Sequence, residues 1–201
     1  VRGFIGQEAH HGYEHDALNT LMTHAGMPTQ SIEVLVKNFL DWYARHISPE
    51  RQLAKTVALE HFTAMFGEMI LLHPEILEGA HPQVKQLWLW HALEEVEHKS
   101  VAFDVYKEQV DNEWIRLSEM IVNTFTFLGF YSIHYFQLSH QINDKTDWHS
   151  IYHGWQWLLG KKNGILTKIG KHYLEFYNKD FHPDQRNTEN LVEQWRQKLS
   201  L

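Results

Sequence analysis

The stretch VKQLWLWHALEEVEHKSVAFDV, residues 84–105, decides the fold. Within it Val84, Trp88, His91, Glu95, His98, Ala102 and Val105 follow one another at alternating spacings of four and three. That period marks one narrow face of an α-helix, the face a bundle helix turns toward its partners. Such a seam is ordinarily apolar, yet three consecutive positions here are His91, Glu95 and His98. Burying charge is costly unless it is paired or bound to metal, and a metal ion resolves the conflict.

The same arrangement recurs upstream. Phe4, Glu8, His11, His15, Leu18 and Met22 form a second stripe, and Glu8-Ala9-His10-His11 repeats the E-x-x-H of Glu95-Val96-Glu97-His98. Residues three apart lie on neighbouring turns of one helix face, so each pair can offer a carboxylate oxygen and an imidazole nitrogen to one point. A third seam, Leu53, Val57, Glu60, Ala64, Gly67 and Leu71, has Glu60 as its single charged member. Two E-x-x-H pairs plus inward glutamates make the ligand set of dinuclear carboxylate bundles. The reading therefore expects Glu8, His11, Glu60, His91, Glu95 and His98 as metal ligands, with Glu60 bridging and Glu60 and Glu95 also catalytic. Ala64 and Gly67 leave room for a small reagent or allow close helix packing. Of the remaining polar groups, His15 reads as a neighbour of the ligands. His61 and Glu68 read as structural, and His10, Glu14, Glu94 and Glu97 as solvent-facing.

Around these motifs the apolar spacing is helical throughout. Helices are expected over Val1–His24, Ser31–His46, from Pro49 to Leu72 and from Pro82 past Tyr106. Others follow over Asn112–Leu138, Trp148–Leu159, Ile165–Tyr177 and Thr188–Leu199. Ser48-Pro49 is a start signal, an N-cap serine with proline at the first helical position, and Gly26-Met27-Pro28 is a stop. The 201 residues suit a single helical metal-binding domain, 1–201, with a core bundle over about 1–140 and C-terminal helices over about 145–200.

Composition narrows the chemistry. Cysteine is absent, which excludes disulfide, thiolate and Cys-zinc sites, while sixteen histidines are spread along the chain. A net charge of −7 without a basic run argues against nucleic acid. The most apolar stretch, Met120 to Phe136, is interrupted by Asn123 and His134 and is a poor membrane span, so membrane association is disfavoured. Its aromatic residues read mainly as core. The opening residues do not read as a signal peptide, and a cytoplasmic location is expected.

At Phe4-Ile5-Gly6-Gln7-Glu8-Ala9-His10-His11-Gly12 and Leu89-Trp90-His91-Ala92-Leu93-Glu94-Glu95-Val96-Glu97-His98-Lys99, the chain resembles the bacterial family of predicted metal-dependent hydrolases, itself similar to the ferritin-like superfamily. The resemblance implies an all-α, ferritin-like bundle in which Glu8, His11, Glu60, Glu95 and His98 match ligand positions. The family pattern has an earlier helix with one more glutamate. An N-terminal helix is therefore expected upstream of Val1, and without it the seam holding Phe4 and Trp88 should stand partly open. The segment His91 to His98, H-x-x-x-E-x-x-H, is also locally similar to the last ligand helix of di-iron arylamine N-oxygenases, which implies a ligand role for His91.

Nitrogen and carboxylate donors without sulfur suit two ions of iron first, then manganese or zinc. The ligand pattern favours oxygen-activating oxidation of a small apolar or aromatic molecule. Hydrolysis by metal-activated water is the alternative that the family name implies, and a non-enzymatic iron-handling or interaction role is the third. A second copy of the chain is one way to close an open seam.

Overall fold

The three- and four-residue spacing becomes helix across residues 2–142, 148–160 and 164–201, the part that this computed structural model describes. In chain order the helices are α1 (Arg2–His24), α2 (Thr29–His46), α3 (Pro49–Leu72), α4 (Pro82–Glu97), α5 (Val101–Gln109), α6 (Glu113–Ile142), α7 (Trp148–Leu159), α8 (Ile165–Glu175) and α9 (Glu189–Leu199). Short 3-10 turns lie at Pro74–Leu77 and Pro183–Gln185, and no strand occurs among the described residues. The chain is an all-α helical bundle. The expected start of the first helix at Val1 lies outside the described residues.

Helix α3 is the axis. Ser48 stands at its N-cap with Pro49 in the first turn, and the helix packs against α4, α5, α6 and α8. Ala54, Val57, Ala58, Phe62, Met65 and Met69 are buried in one cluster with Phe103, Tyr106, Met120, Phe176 and Phe181. A second cluster joins Leu71 to Leu89, Leu93, Val96 and Trp195, and the Trp195 indole donates to the Leu71 carbonyl at 3.0 Å. Gly67 shows how close α3 and α4 come, since a Cβ there would lie 2.7 Å from the Ala92 carbonyl oxygen. Gly67 thus serves close packing.

The expected fourth helix divides in two. His98, at φ −106° and ψ 12°, ends α4. Lys99 then donates its ammonium to the Arg186 carbonyl at 2.6 Å and to the Thr188 hydroxyl at 3.0 Å, anchoring the turn before α5. Periodicity does not reveal the break, because Ala102 and Phe103 resume a buried face directly after it.

Buried charge is compensated where the bundle is polar. Glu119 accepts from the Tyr43 hydroxyl at 2.8 Å and from Arg51 at 2.5 Å, tying α2, α3 and α6 together. The fully buried Arg116 pairs with Glu113 at 2.6 Å and donates to the carbonyls of Phe176 and Asn178. Helix α1 stands apart from this pattern. Of its side chains only His11 is buried.

Candidate metal centre

Helices α1 and α4 bring their E-x-x-H motifs face to face. One ligand atom each from Glu8, His11, Glu95 and His98 lies within 4.8 Å of all the others, a group that could hold a metal ion. His11 Nδ1 is 3.6 Å from Glu8 Oε1 and 3.4 Å from Glu95 Oε1, and His98 Nε2 is 3.3 Å from Glu8 Oε1. Bonds of about 2.0–2.2 Å to one tetrahedral ion would separate its ligand atoms by roughly 3.3–3.6 Å. The three measured edges fall in that interval.

Burial sharpens the point. Glu8 Oε1, His11 Nδ1, His91 Nδ1 and His98 Nε2 are buried side-chain atoms without a hydrogen-bond partner. Leaving buried polar atoms unsatisfied is expensive, and an ion among them removes the cost. His98 closes α4, so the negative end of the helix dipole also favours a cation here.

The other nitrogen of each histidine meets a carboxylate. His11 Nε2 lies 2.7 Å from Glu94 Oε2, and His98 Nδ1 lies 3.2 Å from Glu60 Oε2. A carboxylate on the outer nitrogen fixes the tautomer and leaves the inner lone pair for metal. Gln7 steadies Glu94 from α1, its amide donating at 3.4 Å. His91 Nε2 contacts Glu95 Oε1 at 3.2 Å, and its ring lies 4.3 Å from that of His11. Phe4 sets its edge against His98, while Trp88 packs on His15 and His91. Both aromatic side chains are half-buried around the centre.

Electrostatics follow from these contacts. The imidazole of His11, 3.6 Å away, holds the Glu8 carboxyl below its ordinary range, although burial opposes it. Burial works against protonation of His11 and His98, yet the carboxylates beside them raise both. Glu95 is pushed up by its own burial. His91, with burial as the main cause, is pulled down to about 3 and stays neutral, the form a metal requires.

Four of the six sequence-derived ligand candidates, Glu8, His11, Glu95 and His98, make up this group, and His91 lies beside it, with Nε2 3.2 Å from Glu95 Oε1. Glu60 reaches it from α3 but stands outside the four-residue group, on the outer nitrogen of His98. His15 is a ring neighbour of His91, with centroids 4.9 Å apart. Glu68 instead pairs with Arg186 at 2.9 Å, and His61 contacts the His172 carbonyl at 3.2 Å. Glu94 was expected to face solvent and is half-buried against His11. The available signal was its place three residues after His91 and four before His98, at the border of the ligand stripe. Glu97 pairs with Arg196 at 2.7 Å, and His10 is exposed.

No curated protein and no solved structure matches the chain significantly. A family model described as predicted metal-dependent hydrolase matches residues 1–187, nearly the whole length. The chain, with its buried Glu and His group, therefore belongs to the family of predicted metal-dependent hydrolases.

Proposed function

We propose that this chain is a metal-dependent enzyme whose ion is held by Glu8, His11, Glu95 and His98, and that its reaction is hydrolytic. The observation that carries the reading is the convergence of buried atoms lacking hydrogen-bond partners: Glu8 Oε1, His11 Nδ1 and His98 Nε2. Hydrolysis takes first place because the family is described so and because the ligand spacing suits one divalent ion. A bound ion would acidify a water and polarise an ester, amide or phosphoryl oxygen. Glu94 and Glu60 hold the histidine tautomers. Glu8 has a side chain 39% exposed, against 3–6% for His11, Glu95 and His98, so it borders the approach to the ion.

A second reading, oxygen-activating oxidation at a ferritin-like di-iron site, is favoured by the partnerless His91 Nδ1 and by Glu60 lying beside His98. These two residues could complete a second ion's ligands by turning inward. Metal analysis, followed by assays with and without oxygen, tests both readings. One ion per chain and anaerobic cleavage of a model ester or phosphate support hydrolysis. Two irons per chain, a visible charge-transfer band and oxygen uptake replace it with the second reading. Full metal content in a Glu8→Gln, His11→Ala double variant would sink the site itself.

A further inference from the structure

Away from the metal centre, the far half of α6 and several described positions of α7 carry aromatic side chains exposed to solvent. On α6, Phe125, Tyr131, Tyr135 and Phe136 are 53–72% exposed. On α7, Tyr152, Trp155 and Leu159 are 51–60% exposed. These three are spaced by three and four residues, so they form one stripe along that helix. The described residues 152–157 and 159 of α7 are all exposed, Trp157 on another face at 54%, so the aromatic stripe meets solvent and not the core of the bundle.

Charge indicates what the stripe meets. From Met120 to Leu174 the sequence has five lysines, two aspartates and no glutamate, a surplus of three positive charges in a chain of net charge −7. Lys168 and Lys171 in α8, which packs against α7, are exposed. Trp and Tyr are the side chains that settle at the headgroup level of a bilayer, and lysines nearby add attraction to anionic lipid. No described helix is long and apolar enough to cross a membrane, and lying in the interface requires no such span.

We propose that α7, with the neighbouring lysine-bearing α8, docks this protein on an anionic lipid surface as a peripheral, non-spanning contact. The basis is independent of the metal site and of the reaction proposed for it. An otherwise acidic protein would thereby approach the bilayer by an aromatic helix beside the exposed Lys168 and Lys171.

Flotation with vesicles of phosphatidylcholine alone, and of phosphatidylcholine mixed with phosphatidylglycerol, tests the proposal. The full chain should float with the mixed vesicles, and its tryptophan emission should shift to the blue. Binding should weaken as salt is raised, because the attraction is screened over about 10 Å at 0.1 M. Trp155→Ser with Leu159→Ser should lower the affinity at least about tenfold. Trp114→Ser, which removes a still more exposed indole at the opposite end of α6, should leave it unchanged. Both variants change exposed positions, and unaltered helix content and melting temperature identify a folded sample. Failure to float with anionic vesicles overturns the proposal, as does equal binding by the α7 variant. A dimer in solution that the α7 substitutions dissolve would assign the stripe to a second copy and overturn it as well.

Discussion

At the scale of single residues, the centre depends on side chains that never need to touch an ion. Glu94 grips His11 Nε2 at 2.7 Å, and its loss frees the imidazole to turn and to change tautomer. Glu94→Ala should lower metal affinity by about 10–100-fold, the usual cost of removing such an outer carboxylate. Glu97→Ala, which removes only the bond to Arg196, should bind metal like the parent. Titration of both variants with Zn(II) or Mn(II) gives the comparison, and equal affinities would remove Glu94 from the centre. A second residue-scale effect lies at His172, pulled down to about 3 chiefly by burial. The folded protein keeps this ring neutral, whereas the unfolded chain takes up a proton near pH 6.5. The unfolded state thus binds more protons below pH 6.5, and stability must fall as pH drops from there toward 3. The slope approaches about 1.4 kcal/mol per pH unit for one such histidine and vanishes above neutrality. Denaturant unfolding of metal-free His172→Gln should show a shallower fall between pH 7 and 5 than the parent. Parallel curves would contradict the assignment.

At the scale of elements, the ligand-bearing α4 is seated on α3, which it approaches closely at Gly67. Gly67→Ala forces a Cβ to within 2.7 Å of the Ala92 carbonyl oxygen, a backbone atom that cannot swing aside. Displacing α4 should cost about 1–3 kcal/mol of stability and should weaken metal binding, because Glu95 and His98 move with it. A melting temperature and metal affinity equal to the parent's would show that the helices part freely. What the sequence made legible divides along the same line. Helix identity and the two E-x-x-H faces are properties of local spacing; α3 begins at the Ser48-Pro49 start signal and α1 ends just before the Gly26-Met27-Pro28 stop. The end of α4 at His98 was hidden, because it depends on Lys99 reaching Arg186 and Thr188, 87 and 89 residues away. Glu60's contact with the outer nitrogen of His98 was hidden for the same reason. Seam position gives the direction of a side chain but not which imidazole edge it meets.

At the scale of the whole molecule, the centre also acts as a fastening. Helix α1 spans 23 residues yet buries only His11, and Ile5, Tyr13 and Leu21 on it are exposed. It meets α4 and His98 through polar or aromatic contacts: Glu8 and His11 with the ligand group, Gln7 with Glu94, Phe4 with His98, and His15 with Trp88 and His91. Little apolar area opposes its detachment, whereas α9 is held by Trp195 in a buried cluster. Without metal, the orphaned nitrogens and the Glu8 carboxylate regain water when α1 lifts off, so detachment is cheap. With metal, the same motion breaks bonds to Glu8 and His11. Free ion at about 100 times its dissociation constant should stabilise the closed arrangement by about 2.7 kcal/mol, which slows amide exchange through opening by roughly a hundredfold. Metal should therefore protect the amides of 2–24 far more than those of α9, in a single exchange experiment on one sample. Equal protection of α1 and α9, or none in α1, would mean that apolar packing already holds the helix. A Glu8→Gln, His11→Ala double variant should exchange like the metal-free parent whether or not the ion is added. Its helix content should stay intact, because α3 and its apolar partners carry the rest of the bundle.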